Sequence, residues 1–478
     1  MLETGSPPLF VGRDTELSQL RRTLDRSTPS IAVIYGRRRV GKSALVRKVL
    51  EGRHAWYFEG LENQPTSEQI ANFCLQLSRQ TGEITADTHP KNWRQAFLLL
   101  EPVLKKQPAC VVLDEFQWMA NYRSAIVSDL KMVWDQYLSL IPGVSLILCG
   151  SIASFILNQV VKGSALYGRT DRVIHLREFS LAESAQMLPQ YGTDELLDAY
   201  MILGGVPKYQ ELARDYPSLY LAIEDLAFRE NGFLVDEFDR IFVSHFGRND
   251  SYSRIIAALA KHPYGMFRKA LSEVAKIDLG GGLTRHLEDL EAAGFIRSIR
   301  PIGKPANTRL IQYILSDAYL RFYYALMVPE LTAIRSEQST VRFASLVQRP
   351  AFLSWRGRAF EMVCTRHAPM IARALGFSGI EYSFGPYFRA PKPGRQGVQV
   401  DLLFDRADNV LTLCEMKYSR TPIGKAVVAE LEQKAALLQE TFPRKTIQTI
   451  LLYHGSTASS VAHSPYIHQT LDSSILFT

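Results

Sequence analysis

The octapeptide Gly36-Arg37-Arg38-Arg39-Val40-Gly41-Lys42-Ser43 constrains this chain more than any other stretch. It has the spacing GxxxxGKS, follows the apolar run Ile31 to Tyr35 and precedes the helix-forming Ala44 to Leu50, which predicts a strand, a glycine loop and a helix. Backbone N–H groups in such a loop converge at the positive end of the helix, a concavity suited to the phosphates of a nucleotide. Gly36, Arg39, Val40 and Gly41 are the expected cradle. Lys42 would reach the β- and γ-phosphates, and Ser43 would ligate Mg2+.

At 478 residues the chain exceeds what one hydrophobic core carries, so several domains are expected. Apolar residues at 46% and charged residues at 22% describe an ordinary globular protein. No stretch approaches the ~18 apolar residues of a membrane span, and residues 1–10 lack a basic start followed by an apolar run. The expectation is a cytoplasmic protein without membrane contact. A formal net charge of +7 permits phosphate or nucleic-acid partners without requiring them. Cys74, Cys110, Cys149, Cys364 and Cys414 show neither a CxxC pair nor His at zinc-ligand spacing, so reduced thiols are expected.

Downstream of the loop, a strand at Ala55 to Phe58 and helices at Ser67 to Arg79 and Trp93 to Lys105 lead to Ala109-Cys110-Val111-Val112-Leu113-Asp114-Glu115. A continuous apolar run ending in two acids is what a buried parallel strand needs to deliver carboxylates at its C-terminal edge. Asp114 would hold Mg2+ directly or through water, and Glu115 would orient and deprotonate the attacking water. Taken alone, the two acids also fit a solvated strand end. Two readings stay open for Ser151 after the run Val144 to Leu148: a contact to the γ-phosphate or attacking water, or a helix N-cap. Arg169 and Arg172 either neutralise charge on the transferring phosphoryl, in cis or from a neighbouring subunit of a homo-oligomer, or are ordinary surface arginines. No NKxD guanine signature occurs, so ATP is the expected nucleotide. The alternation of strands and helices predicts an α/β fold with a mostly parallel sheet.

Before the loop, Phe10-Val11-Gly12-Arg13-Asp14-Thr15-Glu16-Leu17 resembles the hhGRxxE opening of archaeal-type and signal-transduction (AAA+/STAND-like) P-loop ATPases. The resemblance implies that Gly12 and Arg13 lie beside the adenine. After the core the pattern turns helical from Ser180 to Phe246, broken by Leu203-Gly204-Gly205-Val206-Pro207. A GGVP turn is typical of the same ATPases, where it implies a helical lid over the nucleotide.

Three amphipathic stretches, Ile255 to Ala260, Phe267 to Ala275 and Leu283 to Leu290, precede an extended region from Phe295 to Leu315 and predict a winged helix. Glu288, Asp289 and Glu291 on its third helix would repel a DNA groove, which favours packing for that helix. Arg297, Arg300, Lys304 and Arg309 in the wing leave sequence-blind phosphate contact open. The following Tyr313 to Tyr324 resembles the segment that closes this module in archaeal ATPases, and its aromatics at helical spacing read as core.

The C-terminal third pairs two strand candidates, Val398 to Phe404 and Val410 to Lys417, across the turn Arg406-Ala407-Asp408-Asn409. Glu415 and Lys417 share a strand face, and Asp401 can lie beside them. Two carboxylates and the Met416 carbonyl would hold Mg2+ or Mn2+ while Lys417 stabilises the attacking hydroxide or the transition-state phosphate, a constellation that hydrolyses phosphodiesters. This D…ExK pattern resembles the PD-(D/E)XK nuclease superfamily. The resemblance matches Glu361 to that family's helical acid and Gln433-Lys434 to a polar site position after the ExK strand. An alternative is a domain kept for binding, with Glu415 and Lys417 an exposed ion pair. A strand at Ile380 to Phe384 and a basic, aromatic loop from Tyr387 to Gly397 are expected beside the site.

The expected architecture is α/β: a P-loop ATPase core over residues 1–178, a helical lid over 179–248, a winged helix over 249–330, and a restriction-endonuclease-like domain over 331–478. The expected function is ATP hydrolysis coupled to metal-dependent cleavage of DNA. The alternative is a nucleotide-dependent switch or scaffold whose C-terminal domain binds nucleic acid or protein without cutting.

Overall fold

The computed structural model describes residues 9–82, 89–121, 125–151, 155–161, 163, 166–246, 249–303, 310–336, 342–391, 393 and 396–478. The chain forms two compact units, Met1–Phe179 with Val206–Lys208, and Ser180–Gly205 with Tyr209–Thr478. Apart from Phe179 and Val206–Lys208, the residues expected to form a lid, a winged helix and a C-terminal domain fall in the second.

In the first unit β1 (Ser30–Tyr35), β2 (Ala55–Glu59), β3 (Cys110–Asp114), β4 (Ser145–Gly150) and β5 (Arg172–His175) make one parallel sheet in the order β2-β3-β4-β1-β5. Alternate residues of β1 enter different apolar clusters, Ile31 and Val33 on one face, Ala32 and Ile34 on the other. Burial on both faces is why β1, β3 and β4 read as nearly unbroken apolar runs. Each buried Ile or Val side chain contributes about 1.5–3 kcal/mol. Because the strands are parallel, the loop after β1, the acids closing β3 and Ser151 after β4 share one edge. Helices α1 (Asp14–Leu24), α2 (Lys42–Leu50) and α3 (Ala125–Gln136) belong to this unit.

The single helix expected over Trp93 to Lys105 is instead a pair, Trp93–Leu98 and Leu100–Lys106. Pro102 explains the break, because its ring would clash with the carbonyl of Leu98 in a continuous helix.

In the second unit α4 (Thr193–Leu203) stops at Gly204, within the expected turn. Next come α5 (Asp250–Ala260), α6 (Arg268–Ala275) and α7 (Gly281–Ala292). With them is a small antiparallel sheet of β6 (Met266–Phe267), β7 (Ile296–Ile299) and β8 (Gln312–Leu315), in the order β6-β8-β7. Lys304 and Arg309 lie outside the described residues. Tyr319, Phe322 and Tyr323 are buried, as core aromatics should be.

The last sheet contains β9 (Tyr382–Arg389), β10 (Val398–Arg406), β11 (Val410–Tyr418), β12 (Thr446–His454) and β13 (Gln469–Asp472), in the order β13-β12-β11-β10-β9. It is mixed: β9, β10 and β11 are antiparallel neighbours, whereas β12 and β13 continue parallel to β11. Helix α8 (Pro350–Arg366) precedes this sheet in the chain, and α9 (Ala426–Thr441) forms the crossover that a parallel β11–β12 pair requires. The basic loop expected from Tyr387 begins later, since β9 runs to Arg389 against Val398, Gln399 and Val400. Arg389 is no loop cation: it donates to Leu437 O at 3.2 Å and Thr441 Oγ1 at 2.7 Å, tying β9 to α9. Lys392, Gly394 and Arg395 lie outside the described residues.

All five cysteines are free thiols. Among the described residues no helix is long and apolar enough to cross a membrane.

Candidate functional sites

The glycine loop needs its glycines for two different reasons. A Cβ at Gly36 would lie 2.2 Å from Leu176 O, so only glycine lets the loop pass that carbonyl. Gly41 has φ 89°, a left-handed conformation from which α2 starts. Arg39 is also left-handed, at φ 73°, and Val40 is buried. Lys42 folds across its own loop, donating to Gly36 O and Arg37 O at 3.0 Å each, and is 6% exposed. The ammonium is thus held by carbonyls of its own loop.

Ser43 Oγ donates to Asp114 Oδ2 at 2.7 Å, although β4 separates the two strands concerned. The Tyr57 hydroxyl donates to the same oxygen. Burial, with Asp114 beside it, pushes the Tyr57 phenol well above its ordinary value, so it stays a donor. Glu59 is likewise raised, by burial and then by Asp114 and Glu115.

Glu115 has φ 48°, an uncommon conformation for a residue other than glycine. Its Oε2 accepts from Ser151 Oγ at 2.8 Å and from the Gln117 amide, which also donates to Ser151 Oγ at 3.0 Å. The structure thus joins Ser151 to Glu115. The N-cap alternative for Ser151 falls on residues outside the described ones.

Arg13 follows Gly12 with φ 64° and caps the start of α1. Its guanidinium donates to Val40 O at 3.2 Å and Arg177 O at 2.7 Å and lies 4.6 Å from the Phe179 ring centroid. It therefore braces the phosphate loop.

The two downstream arginines are placed differently. Arg169 forms a two-pronged ion pair with Asp135 of α3, at 2.6 and 2.8 Å. Arg172 starts β5 level with Ala32, three residues short of Tyr35, after which the loop begins. The parallel register puts it toward the opposite end of the strand.

Sequence reasoning missed Tyr57 and Gln117. A signal existed for Tyr57: it alternates with Trp56 and Phe58, which places it on the other sheet face, where α2 packs.

In the second unit Glu361 of α8, Asp401 of β10, and Glu415 and Lys417 of β11 line one cleft of about 430 Å3. The β10–β11 register pairs Leu402 with Cys414, and one further step sets Asp401 opposite Glu415. Against β9 the register of β10 shifts between Val400 and Leu403, an irregularity at Asp401 of the kind that re-aims a side chain. Asp401 Oδ1 accepts from the Gln399 amide at 3.0 Å. Glu415 is 5% exposed, so it is not half of an exposed ion pair.

Lys417 Nζ lies 2.7 Å from Glu415 Oε1 and 3.0 Å from Glu430 Oε2. Lys434 Nζ closes a ring, 2.7 Å from Glu415 Oε2 and 2.8 Å from Glu430 Oε1. Burial opposes the charge on each lysine, but Glu415 and Glu430 outweigh it and hold both ammonium groups above their ordinary value. Glu361 is pushed up to about 7, chiefly by burial and then by Asp401 and Glu415. Among the described residues no three His, Cys, Asp or Glu side chains are arranged to hold a metal ion.

Residues 10–212 match the family model described as an ATPase domain predominantly from Archaea. An uncharacterized protein of Methanocaldococcus jannaschii is 26% identical over 333 residues, which is 68% of this chain and 70% of that one. An uncharacterized ATP-binding protein of the same organism is 42% identical over 45 residues, 9% of this chain and 76% of its own length. Among solved structures, the Walker-type ATPase of Pyrococcus abyssi is similar at TM-score 0.49 and 18% identity, covering 66% of this chain and 96% of that one.

Proposed function

We propose, taking residues 10–212 as an archaeal-type ATPase domain, that this chain binds and hydrolyses ATP and uses its second unit to act on nucleic acid. Lys42 and the loop N–H groups would hold the phosphates, and Glu115, oriented by Ser151 and Gln117, would position and deprotonate the attacking water. The Ser43 hydroxyl and Asp114 carboxylate are hard oxygen donors 2.7 Å apart, a pair that fits Mg2+. Arg169 would have to leave Asp135 to serve a phosphate, in its own chain or in a neighbouring copy.

For the second unit the reading is a winged helix joined to a PD-(D/E)XK-like domain that cleaves DNA. Its main support is the convergence of Glu361, Asp401, Glu415 and Lys417, from three separate elements, on one cleft. By donor chemistry Asp401 and Glu415 fit Mg2+ or Mn2+, and the proton held by Glu361 reflects, after burial, the negative charge that a cation would relieve. Such a cation polarises phosphate and lowers the pKa of bound water. Lys417, kept charged by Glu415 and Glu430, would stabilise negative charge building on phosphate.

One observation favours the alternative, a switch whose C-terminal domain binds without cutting: both Glu415 oxygens are already occupied by lysines. Plasmid and single-stranded DNA incubated with Mg2+ or Mn2+ separate the two readings. Nicking by the native chain that is lost in Asp401→Ala and Lys417→Ala supports cleavage. Equal nicking by all three preparations removes it, and DNA binding without any nicking selects the switch.

A further inference from the structure

The cleft at Glu361 and Asp401 opens into a larger groove of about 880 Å3, also within the second unit, and both cavities are lined by Tyr264, Glu361, Gln399 and Asp401. The groove combines two kinds of lining group. Tyr264, Phe267, Val274 and Phe388 line it while remaining 60%, 38%, 48% and 49% exposed, an apolar cluster that folding alone leaves in water. Lys261, Arg297 and Arg358 line it as well, and among the described residues none of them forms an ion pair with a carboxylate. Burial and the nearby Arg366 work against the charge on Arg297, with only Glu291 opposing them, so an anion at that wall would be stabilising. Trp355, 6% exposed and in the same lining, has an indole N–H with no acceptor.

The groove's carboxylates, Glu361 and Asp401, also line the adjoining cleft, and Arg358 lies near enough to Glu361 to favour its charged form. We propose that this groove binds a single strand of nucleic acid, with bases stacked on Tyr264 and Phe388 and phosphates held by Arg297, Arg358 and Lys261. In a duplex the bases are already stacked on one another, so exposed aromatic faces add little, whereas an unpaired strand offers a π-face at every base. The strand would lead toward Glu361 and Asp401. Only that last step rests on the proposed chemistry of the cleft.

Binding measured in EDTA tests the groove whether or not the cleft cuts. Fluorescence anisotropy of the full chain with a labelled thymidine oligonucleotide, its uridine counterpart and a hairpin duplex of equal charge should rank both single strands at least about tenfold tighter than the duplex. Tyr264→Ala and Phe388→Ala, both at exposed positions, should each weaken single-strand binding roughly five- to a hundredfold. Tyr264→Phe should restore it, and Arg297→Ala should reduce the dependence of log affinity on log salt by about 0.7. ATP hydrolysis by the aromatic variants should match the native chain, which reports an intact fold. A duplex bound as tightly as the single strands, or aromatic variants that bind like the native chain, would overturn the proposal. Displacement by inorganic polyphosphate together with unaffected aromatic variants would also overturn it, by reducing the groove to a patch of charge.

Discussion

Lys434 Nζ lies 2.7 Å from Glu415 Oε2, while Lys417 Nζ lies 2.7 Å from Oε1 of the same carboxylate. A buried carboxylate clamped by two ammonium groups is electrostatically compensated, so a cation approaching it competes with both. Glu430 on α9 ties the two lysines together, and whatever moves α9 therefore changes the charge available at Glu415.

Lys434→Met should free one oxygen of Glu415. The expected outcome is tighter binding of Mn2+, by roughly tenfold, and a loss of about 1–3 kcal/mol in stability from an imperfectly paired buried carboxylate. Isothermal titration with Mn2+ and urea unfolding measure the two effects. Unchanged Mn2+ affinity would mean that Lys434 does not compete with a cation.

Lys42→Ala should weaken ATP binding by at least about tenfold, because an ammonium hydrogen-bonded to phosphate contributes about 1.5–3 kcal/mol. Titration with a fluorescent ATP analogue reads this directly. Native-like affinity would mean that the ammonium stays on Gly36 O and Arg37 O in the bound state.

Glu115→Gln preserves size and an oxygen for Ser151 while removing the proposed base. ATP binding should be retained and turnover should fall by about a hundredfold or more. Phosphate release measured at saturating ATP decides it, and undiminished hydrolysis would assign the base elsewhere.

Glu361 carries a pH signature. Its folded value of about 7 lies above the ordinary 4.5, so between these values the folded chain holds a proton that the unfolded chain releases. Stability should therefore fall as pH rises from about 4.5 to about 7 and level off above. Glu361→Gln should remove the slope, gaining about 1–3 kcal/mol relative to the native chain at pH 8 and little at pH 5. Urea unfolding in EDTA at both pH values checks this, and an equal difference at each would show that the Glu361 carboxyl is not strained.

The phosphate loop, the apolar strands, the turn at Gly204 and the alternation of Glu415 with Lys417 were legible in the chain because each is a local pattern. A glycine spacing or an alternation of two residues is set by neighbouring backbone geometry. Residue order says much less about which distant elements meet. Tyr57 reaches Asp114 because β2 and β3 are sheet neighbours, and Ser43 reaches it across an intervening β4. Arg169 is drawn to Asp135, and Arg389 is claimed by strand β9 and helix α9 rather than by a loop. The occupancy of Glu415 by Lys434 depends on one helix face meeting one strand face across 19 residues of sequence. Local conformation was therefore determined by the amino-acid order itself, because sterics and periodicity act between near neighbours. The partners of each charge were decided only by the tertiary fold, because electrostatic pairing follows distance in space.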